Sequence, residues 1–454
     1  MSLLTLSKAF IDKTLSPKEI VEKCLLNIKE NNSTYNAFIT VCEEEALEAA
    51  QLAEEEIGNG NIKGPLHGVP VAIKDVIFTE GIRTTMGSKI FESFVPDFNA
   101  TVVQKLKDAG AIIIGKTHTH EFAYGPTGDR SFVGPCRNPY NPDKIPGGSS
   151  SGSAVAIVKD MAVAALGTDT GGSIRIPAAA CGVVGMKPTF GLVSKFGVYN
   201  TAYTLDHAGP MTKTVKDNAI MLNILVGYDE NDPHSLNKAK EDYARLLGQS
   251  IVGKKIALPS YYFKNIDQEV AKSIEQVIQV YQDLGASIVE VEIPVLQEIA
   301  QYQSITIQAE AYAVHEANIR KSGSLYDEEL YERLESSKSL PAYQYVLAQQ
   351  KKAELINKFN EVFNSVDILL TPTLPILPTD INQREVTIGS YNESVRSAVL
   401  RLAAPTNYTG NPGLSVPSGL SATGLPIGFQ LIGKHESEAI IYQFGNAYEQ
   451  YING

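Results

Sequence analysis

The four cysteines of the 454-residue chain, Cys24, Cys42, Cys136 and Cys181, include no CxxC pair, which removes the usual zinc and thioredoxin-like readings. So few in so long a chain cannot build a disulfide scaffold, and a reducing, cytoplasmic setting is expected. No apolar run reaches the roughly 18 residues that a membrane-spanning helix needs. Lys8 and Asp12 interrupt the apolar start of the chain, so no secretory leader is expected either. Positive charge is in short supply: 39 Lys and Arg stand against 51 Asp and Glu, a net charge of −12. Nucleic acid and anionic lipid reward a basic surface, so no direct contact with either is expected. Phosphate-cradling signatures are missing too. There is no GxxxxGK followed by Ser or Thr, and no GxGxxG opening a helix, so nucleotide binding has no support.

What remains is ordinary globular material, 43% hydrophobic and 20% charged, long enough for several domains or one large α/β domain. Ser16-Pro17-Lys18-Glu19 has the form of a capping box with Pro at the first helical position. Residues 43–57 are a second run of helix formers, ended by Gly58 and Gly60. Residues 1–60 are therefore expected to be a helical segment packed on a main domain of residues 61–454. From Gly64 onward, short apolar runs alternate with glycine-rich loops. Residues 71–77, 111–115, 367–372, 414–417 and 426–433 read as strands, and residues 101–110, 267–284 and 342–363 as helices. Strands interleaved with helices predict an α/β fold, one large domain with a central mixed sheet covered by helices.

The most informative stretch runs from Pro146 to Pro188. Its Gly/Ser run, residues 147–153, lies between apolar segments, where glycines serve tight turns and close approach rather than flexibility. A second loop, Gly167-Thr168-Asp169-Thr170-Gly171-Gly172-Ser173, offers consecutive backbone N–H groups ahead of a serine, an arrangement able to hold an oxyanion beside a hydroxyl nucleophile. Such a serine needs a base. None of the seven histidines sits in a motif that names it, although triad members need not be close in sequence. Lys74 interrupts a strand-like apolar run, sharing a face with Ala72 and Val76 while Asp75 points the other way. An ordinary lysine is neutral in only about one molecule in 2,500 at pH 7; apolar burial would lower its pKa and make it a usable base. A strand-end lysine reaching solvent is the alternative. His118-Thr119-His120-Glu121 lacks the HExxH spacing, and two alternating histidines do not complete a metal site.

In combination, GVPVAIKD, GGSSSGS and GTDTGGSIRIPA resemble the amidase signature family, whose members use a Ser–cis-Ser–Lys triad. The likeness continues through CGVVGMKPTFG and LDHAGPMTKTVKDNA and resumes at DILLTPTLP and GLPIGFQLIG, with a signature core at residues 64–228 and a variable, substrate-side region at 255–400. The resemblance implies Ser173 as acyl-accepting nucleophile, Ser149 as relay and Lys74 as base. Ser150, Ser151 and Ser153 are rivals to Ser149 that only the family register excludes. It further implies an oxyanion hole at Thr170, Gly171 and Gly172, a cis peptide before Ser149, and no cofactor or metal. Asp169 and Arg175 flank the loop as supporting residues, either buttressing it or forming a purely structural pair. The family often has KTNxxEF where this chain places His118 in the asparagine position.

Within that family the expected activity is hydrolysis of a small-molecule linear amide through an acyl-enzyme, by a chain acting alone; a homo-oligomer stays open. The alternative is the glutaminase component of a glutamyl-tRNA(Gln) amidotransferase. That component usually carries an aspartate seven residues before the Asn of a PxNxxG segment, where it reads the amino-acid end of glutamine. Here the segment is residues 405–410, and Leu400 takes the aspartate's place, which would leave a substrate ammonium unpaired. An inactive scaffold is the third reading, and motif decay, its discriminator, is not visible.

Overall fold

The structure, a computed structural model, describes residues 2–454. The chain begins with three helices, α1 (Leu3–Ile11), α2 (Pro17–Tyr35) and α3 (Glu43–Gly58). The capping box forms as expected: Ser16 Oγ accepts from the Glu19 N–H, and the Glu19 carboxylate accepts from the Ser16 N–H. The first sixty residues are not wholly helical, because β1 (Phe38–Val41) lies between α2 and α3 and pairs antiparallel with residues 115–117. Ala46, Ala50, Ala53 and Ile57 recur at helical spacing on α3 and are buried there.

The strands that follow are β2 (Pro70–Lys74), β3 (Ile112–Thr117), β4 (Ala164–Asp169), β5 (Val184–Lys187) and β6 (His207–Thr212). Then come β7 (Lys255–Pro259), β8 (Ser287–Val291) and β9 (Ile368–Pro372), the small hairpin β10 (Glu385–Ile388) and β11 (Tyr391–Ser394), and finally β12 (Gly413–Leu420) and β13 (Pro426–Ile432). Eleven of them make one mixed sheet in the order β1-β3-β2-β4-β6-β5-β12-β13-β9-β7-β8. β2 runs parallel to both β3 and β4, whereas β4, β6, β5, β12, β13 and β9 alternate antiparallel. Every residue of β2, β3, β4, β5, β6, β9 and β13 is buried. Strands covered on both faces read as continuous apolar runs, which is how several of them show in the sequence.

Helices flank this sheet: α4 (Thr101–Asp108), α5 (Ser151–Val158), α6 (Arg175–Cys181), α7 (Val215–Leu225), α8 (Gln268–Asp283), α9 (Leu296–Ser322), α10 (Glu328–Ser337) and α11 (Ala342–Asn360), then α12 (Val395–Arg401), α13 (Pro405–Thr409) and α14 (Glu438–Asn453). The architecture is the expected α/β one. β2 stops at Lys74 rather than at Ile77, since the chain turns back through a bond from the Ile77 N–H to the Lys74 carbonyl. The site is assembled where β2 and β4 end side by side and hand over to loops. No helix among the described residues is long and apolar enough to cross a membrane.

Candidate active site

Lys74 is the last residue of β2 and is fully buried. Its Nζ lies 2.7 Å from Ser149 Oγ and 2.6 Å from Thr168 Oγ1. Burial pulls this ammonium down from its ordinary 10.5 to about 7, with Asp169 and Asp206 pulling the other way. At that value the neutral amine is abundant at neutral pH. As an ammonium, Nζ donates to both hydroxyl oxygens. The solvent-reaching alternative for Lys74 does not hold.

Ser149 follows a cis Gly148–Ser149 peptide. A Cβ at Gly148 would sit 2.7 Å from the Gly128 nitrogen, so the turn requires glycine there. The neighbouring hydroxyls are engaged elsewhere: Ser150 Oγ with the Thr168 backbone, Ser151 Oγ with His118 Nδ1 at 3.1 Å, and Ser153 Oγ with Thr117 Oγ1 at 2.8 Å. Only Ser149 of these four is within hydrogen-bond reach of Lys74. His118 and His120 back this turn: the Gly152 N–H donates to the His118 carbonyl and the His120 N–H to the Ser149 carbonyl.

Ser173 sits at the end of the loop leaving β4, 5% exposed, and lines a cavity of about 280 Å³. The Ser150 N–H donates to its carbonyl at 3.2 Å, tying the two serine loops together. Between β4 and Ser173, the N–H groups of Thr170, Gly171 and Ser173 have no acceptor among the described residues. Gly172 differs from expectation: its N–H donates to Asp169 Oδ1 at 2.7 Å, so it is not free to meet an oxyanion. The reason is Asp169, whose carboxylate also accepts from the Ile174 N–H at 3.2 Å. What Gly172 supplies is a φ of +119° in a place where a Cβ would lie 2.5 Å from the Ala403 Cβ.

Asp169 and Arg175 form a bidentate pair, Nε to Oδ2 at 3.0 Å and Nη2 to Oδ1 at 3.1 Å, with both side chains wholly buried. Arg175 Nη1 also donates to Thr406 Oγ1 at 2.7 Å and Gln430 Oε1 at 3.1 Å, and Nη2 to Asn407 Oδ1 at 2.8 Å. Asn407 Nδ2 returns bonds to the Asp169 carbonyl and carboxylate. Despite its burial, the Arg175 charge holds the Asp169 carboxyl far below the ordinary carboxylate range. A buried pair with so many further bonds locks the loop geometry and touches no open space.

Several residues at the site are given no role by the sequence: Thr168, Asp206 and Asn407, although each lies in one of the quoted motifs, and the cavity residues Tyr124, Gln303 and Arg396. Asp206 accepts from Thr170 Oγ1 at 2.6 Å and from the Thr201 N–H at 2.9 Å, and burial raises it to about 6. Leu400 lines the cavity, as expected of a residue facing the substrate. All four cysteines are buried and free, Cys181 among them, with its Sγ against the Pro146 carbonyl.

With this geometry in place, comparison with known proteins is informative. A family model described as Amidase matches residues 19–441. The chain belongs to the amidase signature family. Among curated relatives, a glutamyl-tRNA(Gln) amidotransferase subunit of Geobacter sp. (strain M21) is 41% identical over 96% of this chain and 94% of that one. Among solved amidase-like structures, a chain of a vestigial protein complex, described as revealing the origins of an s-triazine catabolic enzyme, superposes with TM-score 0.95. It is 29% identical over 99% of this chain and 98% of that one. The corresponding glutamyl-tRNA(Gln) amidotransferase subunit of Thermotoga maritima superposes with TM-score 0.80, at 33% identity over 96% of this chain and 91% of that one. Sequence thus leans toward the amidotransferase subunits, while the shape agrees more fully with the first of these two structures.

Proposed function

We propose that this chain hydrolyses the C–N bond of a small amide through an acyl-enzyme on Ser173, with Ser149 as relay and Lys74 as base. The observation that carries this reading is the buried Lys74 amine, 2.7 Å from Ser149 Oγ, beside a serine that opens onto the cavity. Neutral Lys74 takes the Ser149 proton, and Ser149 takes the Ser173 proton as Ser173 Oγ attacks the carbonyl. The developing oxyanion faces the unengaged N–H groups of Thr170, Gly171 and Ser173. Ser149 then protonates the departing nitrogen, and water, deprotonated by the same relay, releases the acid and restores Ser173. Asp169 and Arg175 hold the loop and move no proton.

A second reading is favoured by the curated relatives: the same hydrolysis run on glutamine, with ammonia passed to a partner that works on tRNA. Against it stands the cavity itself, which has Leu400 and no Asp or Glu among its lining residues to pair the glutamine ammonium. Release of ammonia or amine by the purified chain alone, from a panel of amides with glutamine and asparagine included, separates the readings. Turnover of a simple amide, abolished by Ser173→Ala and by Lys74→Ala, is expected. Turnover of glutamine alone, and only with a partner added, refutes the stand-alone enzyme.

A further inference from the structure

The antiparallel ladder between β4 and β6 ends with Asp169 opposite His207. One step past that end, the register sets Thr170, the first residue of the loop that leads to Ser173, against Asp206. Their side chains meet there: Thr170 Oγ1 donates to Asp206 Oδ1 at 2.6 Å. Backbone holds the rest of the carboxylate, Oδ2 accepting from the Thr201 N–H at 2.9 Å and Oδ1 from the Ala202 N–H at 3.1 Å. Thr201 Oγ1 in turn donates to the Phe122 carbonyl at 3.0 Å, one residue before Ala123 and Tyr124 of the cavity wall. Asp206 therefore ties the start of the serine loop to that wall.

The two carboxylates of the loop are built differently. Asp169 is matched by Arg175 and grips the far end of the loop at Gly172 and Ile174. Asp206 is also buried, yet it makes no ion pair among the described residues. Lys195 is the cation that acts on it, but the Lys195 Nζ is engaged with the Tyr203 carbonyl at 2.8 Å and lies 4.3 Å from the centre of the Phe190 ring. A buried carboxylate held only by a hydroxyl and two N–H groups is costly to keep charged. A link that merely joined two loops could be made by a neutral side chain. The charge also reaches Lys74, where together with Asp169 it favours the ammonium against the pull of burial.

We propose that Asp206 is a positioning residue of the reaction: through the Thr170 hydroxyl it fixes the Thr170 N–H where the oxyanion forms, and its unmatched charge favours the ammonium that Lys74 becomes as Ser173 attacks. This rests on the amide hydrolysis proposed above. Neither Asp206 nor the Thr170 hydroxyl exchanges a proton with the substrate. The two contributions are separable, because the hydroxyl belongs to Thr170 and the charge to Asp206.

The test follows hydrolysis of an amide that the wild type turns over, from pH 6.5 to 9, above the value of about 6 to which burial raises Asp206. Thr170→Val removes the hydroxyl and keeps the charge. Its kcat should fall about 10- to 100-fold with KM nearly unchanged, and the acid limb of kcat/KM should stay in place. Thr170→Ser should restore most of the rate. Asp206→Asn removes the charge and keeps the shape: kcat should fall about tenfold, and the acid limb should move to lower pH because the Lys74 ammonium loses a favourable neighbour. Phenylmethylsulfonyl fluoride reads the same groups without an amide: Ser173 Oγ bonds to sulfur, fluoride leaves, and the serine proton passes through Ser149 to Lys74. Its labelling rate, followed by mass spectrometry, should fall in Thr170→Val and Asp206→Asn and recover in Thr170→Ser. Slowed labelling in those variants supports the positioning role even where no amide is hydrolysed, in which case the hydrolase reading falls instead. Should Asp206→Asn not fold, the two Thr170 variants decide. Variants that hydrolyse and label like the wild type, a loss confined to KM, or an acid limb that stays in place in Asp206→Asn overturns the positioning role and leaves the hydrolase standing. A wild type that neither hydrolyses nor labels brings down both.

Discussion

Replacing Lys74 with methionine should destroy activity and stabilise the fold, and the stabilisation should depend on pH. The unfolded chain keeps this lysine's proton up to about 10.5, whereas the folded chain releases it at about 7. Between those values the unfolded state binds more protons, so the stability owed to this group rises with pH and is lowest below 7. At about 1.4 kcal/mol per unit, burying the lysine costs about 5 kcal/mol at pH 6 and about 2 kcal/mol at pH 9 relative to a side chain that never ionises. Methionine has similar length and no charge. Whatever its hydrogen bonds to Ser149 and Thr168 gain or lose with the charge is already contained in the shift from 10.5 to about 7, so they add nothing further to the pH dependence. Urea unfolding of wild type and Lys74→Met at pH 6 and pH 9 should therefore show the variant gaining about 2–3 kcal/mol more at the lower pH. In parallel, wild-type kcat/KM should fall tenfold per unit below about pH 7, because the base must be neutral. An identical stability difference at both pH values, or a pH profile that still climbs at pH 9, would mean that Lys74 is an ordinary ammonium and that burial does not tune it.

Two further outcomes follow from the loop itself. Asp169→Asn leaves the buried Arg175 charge unmatched and should cost about 3–5 kcal/mol in a chemical-denaturation measurement, with Arg175→Met costing less because the Asp169 carboxylate it leaves keeps the Gly172 N–H, Ile174 N–H and Asn407 Nδ2 as donors and can take up a proton, which a guanidinium cannot give up; the reverse order would argue against this account. Gly172→Ala demands a positive φ from alanine and pushes a Cβ to 2.5 Å from Ala403; amide turnover should drop at least tenfold while the far-ultraviolet spectrum stays unchanged, and retained activity would show that the loop tolerates movement.

The sequence announces those parts of this molecule whose chemistry is local. The Ser16–Glu19 capping box, the apolar runs of β2, β3, β9 and β13, and the two glycine loops are each specified within a few residues. Elements whose residues contradict their own surroundings are not legible. β1 is four residues wedged between strong helix formers, and it becomes a strand only because β3 offers an edge. β6, His-Ala-Gly-Pro-Met-Thr, holds the glycine and proline of a loop, yet pairing with β4 on one side and β5 on the other overrides that local preference. The long α9 carries Gln, Ser and Thr through its middle and shows little amphipathic stripe; it is held by contacts with α10, α11 and α13. At the site the same division holds. Lys74 stands out because a charge inside an apolar strand is anomalous. Thr168, Asp206 and Asn407 do not, because ordinary polar residues acquire their roles only through distant neighbours. Gly172 shows the limit of reading a glycine loop as a row of free N–H groups, since a carboxylate three residues earlier claims one of them.

The position of β12 and β13 in the middle of the sheet has a consequence for synthesis on the ribosome. They lie between β5 and β9, so the first half of the sheet ends in an open edge until residues beyond 413 emerge. The anchors of Arg175 are equally late: Asn407 lies 232 positions downstream. At about 5–20 residues per second, the nascent chain carries Asp169 and Arg175 for roughly 10 to 50 seconds before their partners exist. Throughout that interval the serine loop lacks its lock, so a ribosome-bound or prematurely terminated chain holds every proposed catalytic side chain and still has no assembled site.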